Sequence, residues 1–152
     1  SSGKRNVLLT PLWFSGIFNV FISDLLQLFY TNGKNNNVVS ELISSYAWDT
    51  ALNFICQTNS AGYTLATTTS SSYGNIGTGN KQNTGAYSAD QYSNIHDLLG
   101  NCWEWTTEYA GNGNCVARGG ASGDSDNYAA YRFRTGNYYD HGYSFRVQLY
   151  VK

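Results

Sequence analysis

Charge is scarce in this chain. Lys, Arg, Asp and Glu supply only 12% of its 152 residues, 9 basic against 10 acidic, where an average soluble protein carries about 25%. No basic stripe stands out, so the electrostatic footprint that draws nucleic acid or an anionic membrane is missing, and nucleic acid is excluded as a partner. Proline occurs once, at Pro11, and methionine not at all. The histidines are His96 and His141, and the cysteines Cys56, Cys102 and Cys115. With no C-x-x-C pair and no histidine at ligand spacing, a structural zinc site is excluded. Cys102 and Cys115 bracket a Gly/Asn-rich turn and would reach bridging distance if their flanking segments paired as strands; three cysteines leave the redox compartment open. What is abundant is aromatic and small: aromatics reach 16%, with 13 Tyr and 16 Gly. Asn, Ser, Thr, Gly and Tyr must therefore cover most of the surface. The length suits one compact domain, 1–152, and no second one.

The chain changes character three times. Val7 to Tyr30 is apolar and follows Lys4 and Arg5, as a signal or anchor segment would. Thr10 before Pro11 is, however, a helix-start signal, and Ser15, Asn19, Ser23 and Gln27 recur every fourth residue as a polar stripe. A helix buried against the domain or a sister subunit is the preferred reading over a membrane segment. Thr31 to Asn37 is a turn. In Ser45 to Cys56, Trp48, Ala51, Leu52 and Ile55 fall at i, i+3, i+4 and i+7, which predicts a helix with one inward face. Thr58 to Asn94 is rich in Gly, Ser, Thr, Asn and Tyr and reads as long ordered loop with short strands. Cys115 to Arg118, Tyr131 to Arg134 and Ser144 to Val151 alternate polar and apolar residues as half-buried strands do. Helices first and strands last predict an α+β domain with an antiparallel sheet.

Three blocks occur in order: NIHDLLGNCWEWTT from Asn94 to Thr107, VARGG from Val116 to Gly120, and SFRV from Ser144 to Val147. Together they resemble the formylglycine-generating-enzyme, or sulfatase-modifying-factor, family, in which a GN-x-WEW block precedes an RGG and a later GFR. SYAWDTA, Ser45 to Ala51, resembles that family's helix carrying a Trp-acid-x-Ala run. The resemblance implies a C-type-lectin-like fold with two helices, a small antiparallel sheet and long ordered loops. It also implies a calcium ion held by an Asp97 side-chain oxygen, the main-chain carbonyls of Gly100 and Cys102, and the Glu104 carboxylate, a set that suits a hard cation. A salt bridge from Glu104 to an arginine is the other reading of that residue. Trp103 and Trp105 are expected on opposite sides of an extended segment, each packed under a loop. Arg118 and Arg146 are expected to hold loops through carboxylates and carbonyls, a task that suits a planar fork of donors.

Catalytic members of that family carry two cysteines between RGG and GFR, whose thiolates bind copper. No cysteine lies beyond Cys115 here, so neither that oxidoreductase chemistry nor a bound copper is expected. Neither histidine forms a recognisable nucleophile–base pair with a serine. The segment that takes the cysteines' place, Ala121 to Tyr143, is almost wholly Gly, Ser, Asp, Asn, Tyr, Ala, Arg and His. Tyr gives broad contact at little conformational cost, and Ser, Gly and Asn adapt their hydrogen bonding, a mixture found in antibody paratopes and at binding hot spots. In composition and position the segment resembles the variable proteins of diversity-generating retroelements, known from phages and bacteria, in which mutagenesis at adenines varies such positions. Asp124, Ser125, Asp126, Asn127, Tyr128, Ala130, Asn137, Tyr138, Tyr139, Asp140, His141 and Tyr143 fit the reachable set and are the expected ligand-binding residues. Local packing of these tyrosines against a sheet is the competing reading. The resemblance implies a non-catalytic protein at a cell surface, outside the cell or on a virion. Its partner would be a protein or glycan ligand, with oligomerisation or attachment through Leu12 to Tyr30. A calcium-dependent sugar lectin is the alternative, yet the chain lacks the Glu-Pro-Asn, Gln-Pro-Asp and Trp-Asn-Asp runs that such lectins carry. Sugar binding by tyrosine stacking stays open.

Overall fold

The computed structural model describes residues 6–8, 38–136 and 142–151. The apolar stretch from Leu12 to Tyr30 lies outside the described residues, as do Asn137, Tyr138, Tyr139, Asp140 and His141. Among the described residues no helix is long and apolar enough to cross a membrane.

Helix α1, Ser45–Thr58, starts where Ser44 turns out of the helix and its hydroxyl accepts the Ala47 N–H at 3.1 Å, a serine N-cap. Its buried face is Ala47, Trp48, Ala51, Leu52 and Ile55, as the spacing predicts, and it runs two residues further than expected. A short helix α2, Gly62–Thr67, follows at once, inside the stretch expected to be loop. It forms because Leu65 and Ala66 are buried against α1, and because Gly62 lets the two helices touch. A Cβ there would lie 2.5 Å from the Ile55 carbonyl oxygen and 2.7 Å from Cys56 Cα.

Among the described residues, nine strands form three sheets. β1 (Asn6–Leu8), β9 (Val147–Val151) and β2 (Val38–Leu42) make an antiparallel trio in the order β1-β9-β2. The expected order of helices first and strands last therefore fails: β2 precedes α1, and its β-branched Val38 and Val39 pair with the far end of the chain. β3 (Gln91–Tyr92) and β4 (Ile95–His96) make a small hairpin. The third sheet is β7 (Arg132–Gly136), β6 (Asn114–Arg118), β5 (Trp103–Gly111) and β8 (Tyr143–Phe145), in that order. It is mixed and not antiparallel throughout, because β8 pairs parallel to β5, Trp103 opposite Tyr143 and Trp105 opposite Phe145. The segment expected as one strand from Ser144 is thus split, with Arg146 buried at the crossing between two sheets.

Two cores result. One packs Trp48, Leu52 and Ile55 of α1 with Leu65, Ile76, Leu98, Leu99 and Ala129. The other gathers Leu42, Trp103, Trp105 and Ala117, with Tyr131, Phe133, Tyr143 and Phe145 half-buried around them. Both WEW tryptophans belong to this second core, which corrects the expectation of opposite sides: residues two apart on a strand share a face, and it is Glu104 between them that turns the other way. No disulfide joins Cys102 to Cys115; all three cysteines are free. Cys115 lies opposite Tyr109, which leaves Cys102 seven positions away along β5, about 23 Å at strand spacing.

Candidate ligand-binding surface

β6 delivers Arg118 to the middle of the molecule, and the chain then turns through Gly119 and Gly120, whose φ angles are +90° and +84°. Only glycine adopts these readily, and a Cβ on Gly119 would press against the Leu98 carbonyl oxygen at 3.0 Å. Residues 121–124 form a closed turn. The Ala121 N–H donates to Asp124 Oδ2 at 2.8 Å, and the Asp124 N–H donates back to the Ala121 carbonyl at 3.0 Å. Buried Ser122 fastens the turn to the loops beneath it: its N–H donates to the Asn101 carbonyl at 3.1 Å, and its carbonyl accepts the Gly79 N–H at 2.9 Å. Ser125 and Asp126 then stand exposed.

From Asn127 to Tyr131 the chain is held by its backbone. Thr69 Oγ1 donates to the Asn127 carbonyl at 2.8 Å, and the N–H groups of Ala129 and Ala130 donate to the Leu65 and Ala66 carbonyls, each at 3.3 Å. Trp48 Nε1 donates to the Ala129 carbonyl at 2.9 Å. Arg118 reaches the next two carbonyls, Nη2 to Ala130 at 3.2 Å and Nε to Tyr131 at 3.0 Å. The donors and acceptors come from α1, α2, the residues just after α2, and β6. Apart from Ala129, which is fully buried, no side chain of the run is consumed in these bonds.

Arg118 is fully buried. It is neutralised by Asp49 Oδ1 at 2.6 Å and lies over the Trp48 ring, 5.6 Å from its centroid. The other Asp49 oxygen takes Arg132 on β7, and Arg132 Nε also donates to Glu108 Oε2 at 3.2 Å. The expected role of Arg118, fixing loops through a carboxylate and carbonyls, is what its contacts show. Asp49 and Trp48 share that task, although nothing in their local sequence marks them as partners of residues some eighty positions away. Their one advance sign is the SYAWDTA run itself.

On the opposite face of the sheet an aromatic ladder continues from the same segment. Tyr128 meets Tyr131 edge to face at 5.8 Å; Tyr131 meets Trp103 at 6.1 Å, and Trp103 meets Phe133 at 5.0 Å. Tyr143 stacks on Trp105 at 4.7 Å. Of the expected ligand-binding residues within the described chain, Ser125 and Asp126 are open to solvent, while Asn127, Tyr128, Ala130 and Tyr143 are half-buried. Asp124 has its carboxylate turned back onto its own loop. The tyrosines therefore serve packing as well as surface.

The positions expected to hold calcium divide. Glu104 is buried, and both its carboxylate oxygens accept from Arg146, Nε at 2.8 Å and Nη2 at 2.9 Å. Arg146 also donates to the His96 carbonyl at 2.7 Å. A carboxylate so engaged with a guanidinium does not fit a cation site. Asp97 fits better: it is 3% exposed, its Oδ2 accepts the Gly85 N–H at 3.4 Å, and its Oδ1 has no protein partner among the described residues. Burial pushes the Asp97 carboxyl above its ordinary value, against the Gly85 hydrogen bond and the charges of Arg146 and His96. Burial likewise pushes the Cys102 thiol up to about 11. Among the described residues no three His, Cys, Asp or Glu side chains gather as a metal cluster.

No family model matches the sequence, and no curated protein matches it. The structure does have a counterpart. It is similar to Treponema denticola variable protein 1. The superposition has a TM-score of 0.48 at 15% sequence identity and covers 76% of this chain and 49% of that one. This chain thus spans about half the length of Treponema denticola variable protein 1 in its solved structure.

Proposed function

We propose that the protein is a non-catalytic ligand-binding protein that displays a diversified C-terminal surface on a C-type-lectin scaffold, as the variable proteins of diversity-generating retroelements do. The observation that carries this reading is the manner in which residues 127–131 are held. Their carbonyls and amides are gripped by Trp48, Thr69, Leu65, Ala66 and Arg118, so the path of the chain depends little on which side chains stand at Asn127, Tyr128 and Ala130, while Ala129 and Tyr131 pack inward. A main chain held from outside, with polar and aromatic side chains at its surface, is the physical requirement for changing a contact surface without losing the fold. The ligand is a protein or glycan on a cell surface.

Two display libraries test it. In one, Ser125, Asp126, Asn127, Tyr128 and Ala130 are randomised; in the other, Asp124, Ala129 and Arg118. Most members of the first should resist protease as the parent does and yield binders to an arbitrary protein such as lysozyme. Most members of the second should be degraded. Equal loss in both libraries would overturn the reading. DNA flanking the gene offers an independent check: a reverse transcriptase beside a near-copy of the 3′ end is expected. A structural calcium ion belongs to the same reading, held by Asp97 with the Gly100 and Cys102 carbonyls and without Glu104. Calcium should then raise Tm and a chelator lower it in the wild type but not in Asp97→Asn.

A further inference from the structure

β7 ends its sheet. β6 pairs with it along all five residues, Asn114 opposite Gly136 through Arg118 opposite Arg132, and among the described residues no strand pairs with its other side. An edge strand leaves the N–H and C=O groups of alternate residues free to pair with another chain. Beyond the β6 ladder, no main-chain hydrogen bond among the described residues involves residues 132–136. Natural proteins blunt such edges with proline, bulges or charge. β7 has no proline, and its register against β6 runs without a shift. Its two charges are the exposed Arg132 and Arg134. Arg132 is already matched by Asp49 and Glu108, whereas Arg134 has no ion pair among the described residues. Between them Phe133 turns to the other face and packs on Trp103.

We propose that the β7 edge is a docking site for an extended segment of a partner protein, added as a fifth strand. Its side chains would alternate, acidic beside Arg134 and apolar beside Phe133. This rests on the reading of the C-terminal segment as the contact surface, and it adds how the contact is made: main-chain pairing supplies affinity, and alternate side chains supply selectivity. Acidic residues are specified because Arg134 is the charge on that strand without an ion pair among the described residues. A second copy of this chain is a poor occupant, since pairing β7 with itself brings arginines against arginines, and like charges across a ladder repel.

The probe is a short peptide of alternating Val and Asp, titrated into the full chain while backbone amide shifts are followed by NMR. Saturable shifts are expected at residues 132–136. A Val/Lys peptide, or the Asp peptide on Arg134→Glu, should bind weaker by on the order of tenfold or more. N-methylation of alternate peptide residues should abolish binding in one of the two registers and spare it in the other. The Arg134 side chain is exposed and has no ion pair among the described residues, so the variant should melt with the wild type. No binding, equal binding of the Lys peptide, or indifference to N-methylation in both registers would each overturn the proposal. Shifts confined to residues 125–128 would overturn it while leaving the contact-surface reading intact, and that reading is tested separately by the libraries. Concentration-dependent broadening of the β7 amides without peptide would assign the edge to a second copy and overturn it too.

Discussion

Residues 119–124 and 125–131 are neighbours in sequence and opposites in how they are held. The first stretch is fixed by what its residues are: two glycines at positive φ, a buried serine, and an aspartate whose carboxylate closes its own turn. The second is fixed by where its main chain lies, with most of its hydrogen bonds supplied by residues elsewhere. A stretch of the first kind resists substitution nearly everywhere, and one of the second kind resists it chiefly at Ala129 and at the packed tyrosines Tyr128 and Tyr131. The two halves of one loop thus divide into a part held by its side chains and a part held by its main chain, without any boundary in composition.

The sharpest way to break the comparison is at the donor that serves the second stretch. Arg118→Ala removes the side-chain donor of the Ala130 and Tyr131 carbonyls and leaves Asp49 with Arg132 alone, at a site with no access for Arg118 to water. A loss of about 3 kcal/mol is expected in urea denaturation, since removing one member of a buried, hydrogen-bonded pair leaves the others unsatisfied. Arg118→Lys should recover little of it, because one ammonium cannot address two carbonyls and a carboxylate in the plane of the fork. If the loss stayed below about 1 kcal/mol, the main-chain grip would not be what orders the segment.

A smaller effect is expected in the first stretch. Asp124→Ala deletes one side-chain-to-backbone hydrogen bond at a half-buried turn, worth about 1 kcal/mol. Asp124→Asn should retain most of it, because an amide oxygen still accepts. Ser125→Ala and Asp126→Ala should each change stability by less than about 0.5 kcal/mol, as exposed sites without partners do. Tyr128→Ala falls between, for its ring edge contact with Tyr131 goes with it. If the Ser125 variant were as costly as the Asp124 variant, the division between the two stretches would collapse.

What the sequence disclosed follows the range over which each feature is determined. The inward face of α1 was legible because Trp48, Ala51, Leu52 and Ile55 carry their own period. The strands at 115–118 and near 131–134 were legible by alternation, and the loop-holding roles of Arg118 and Arg146 by chemistry and motif. β2 was passed over because five residues, VVSEL, mean little until β9 arrives from more than a hundred positions away. The parallel pairing of β8 with β5 and the bond from Trp48 to Ala129 have no local trace at all. α2 has a loop-like sequence because Gly62, Thr64 and Thr67 favour loop, and tertiary contact at Leu65 and Ala66 overrides them. Of the candidate site, composition marked the segment; it did not separate Asp124 and Ala129, which build the surface, from Ser125 and Asp126, which lie on it.

Glu108 is a side-chain tether at the start of β7, where it shares Arg132 with Asp49. Burial is the largest single influence on its carboxyl and pushes upward. Hydrogen bonds from Ser45 and Arg132 and the charges of Arg132 and Arg118 outweigh it and hold the group below its ordinary value of 4.5. A carboxyl depressed in the folded state binds its proton later than in the unfolded chain. Its contribution is therefore complete above 4.5 and disappears as the pH falls through the depressed value. A third of the Glu108 side chain is exposed, so solvent screening keeps the effect small. The expected outcome is a modest Tm advantage of wild type over Glu108→Gln at neutral pH that closes on acidification. A gap of constant size down to strongly acidic solution would mean that the glutamate acts through packing and not through its charge.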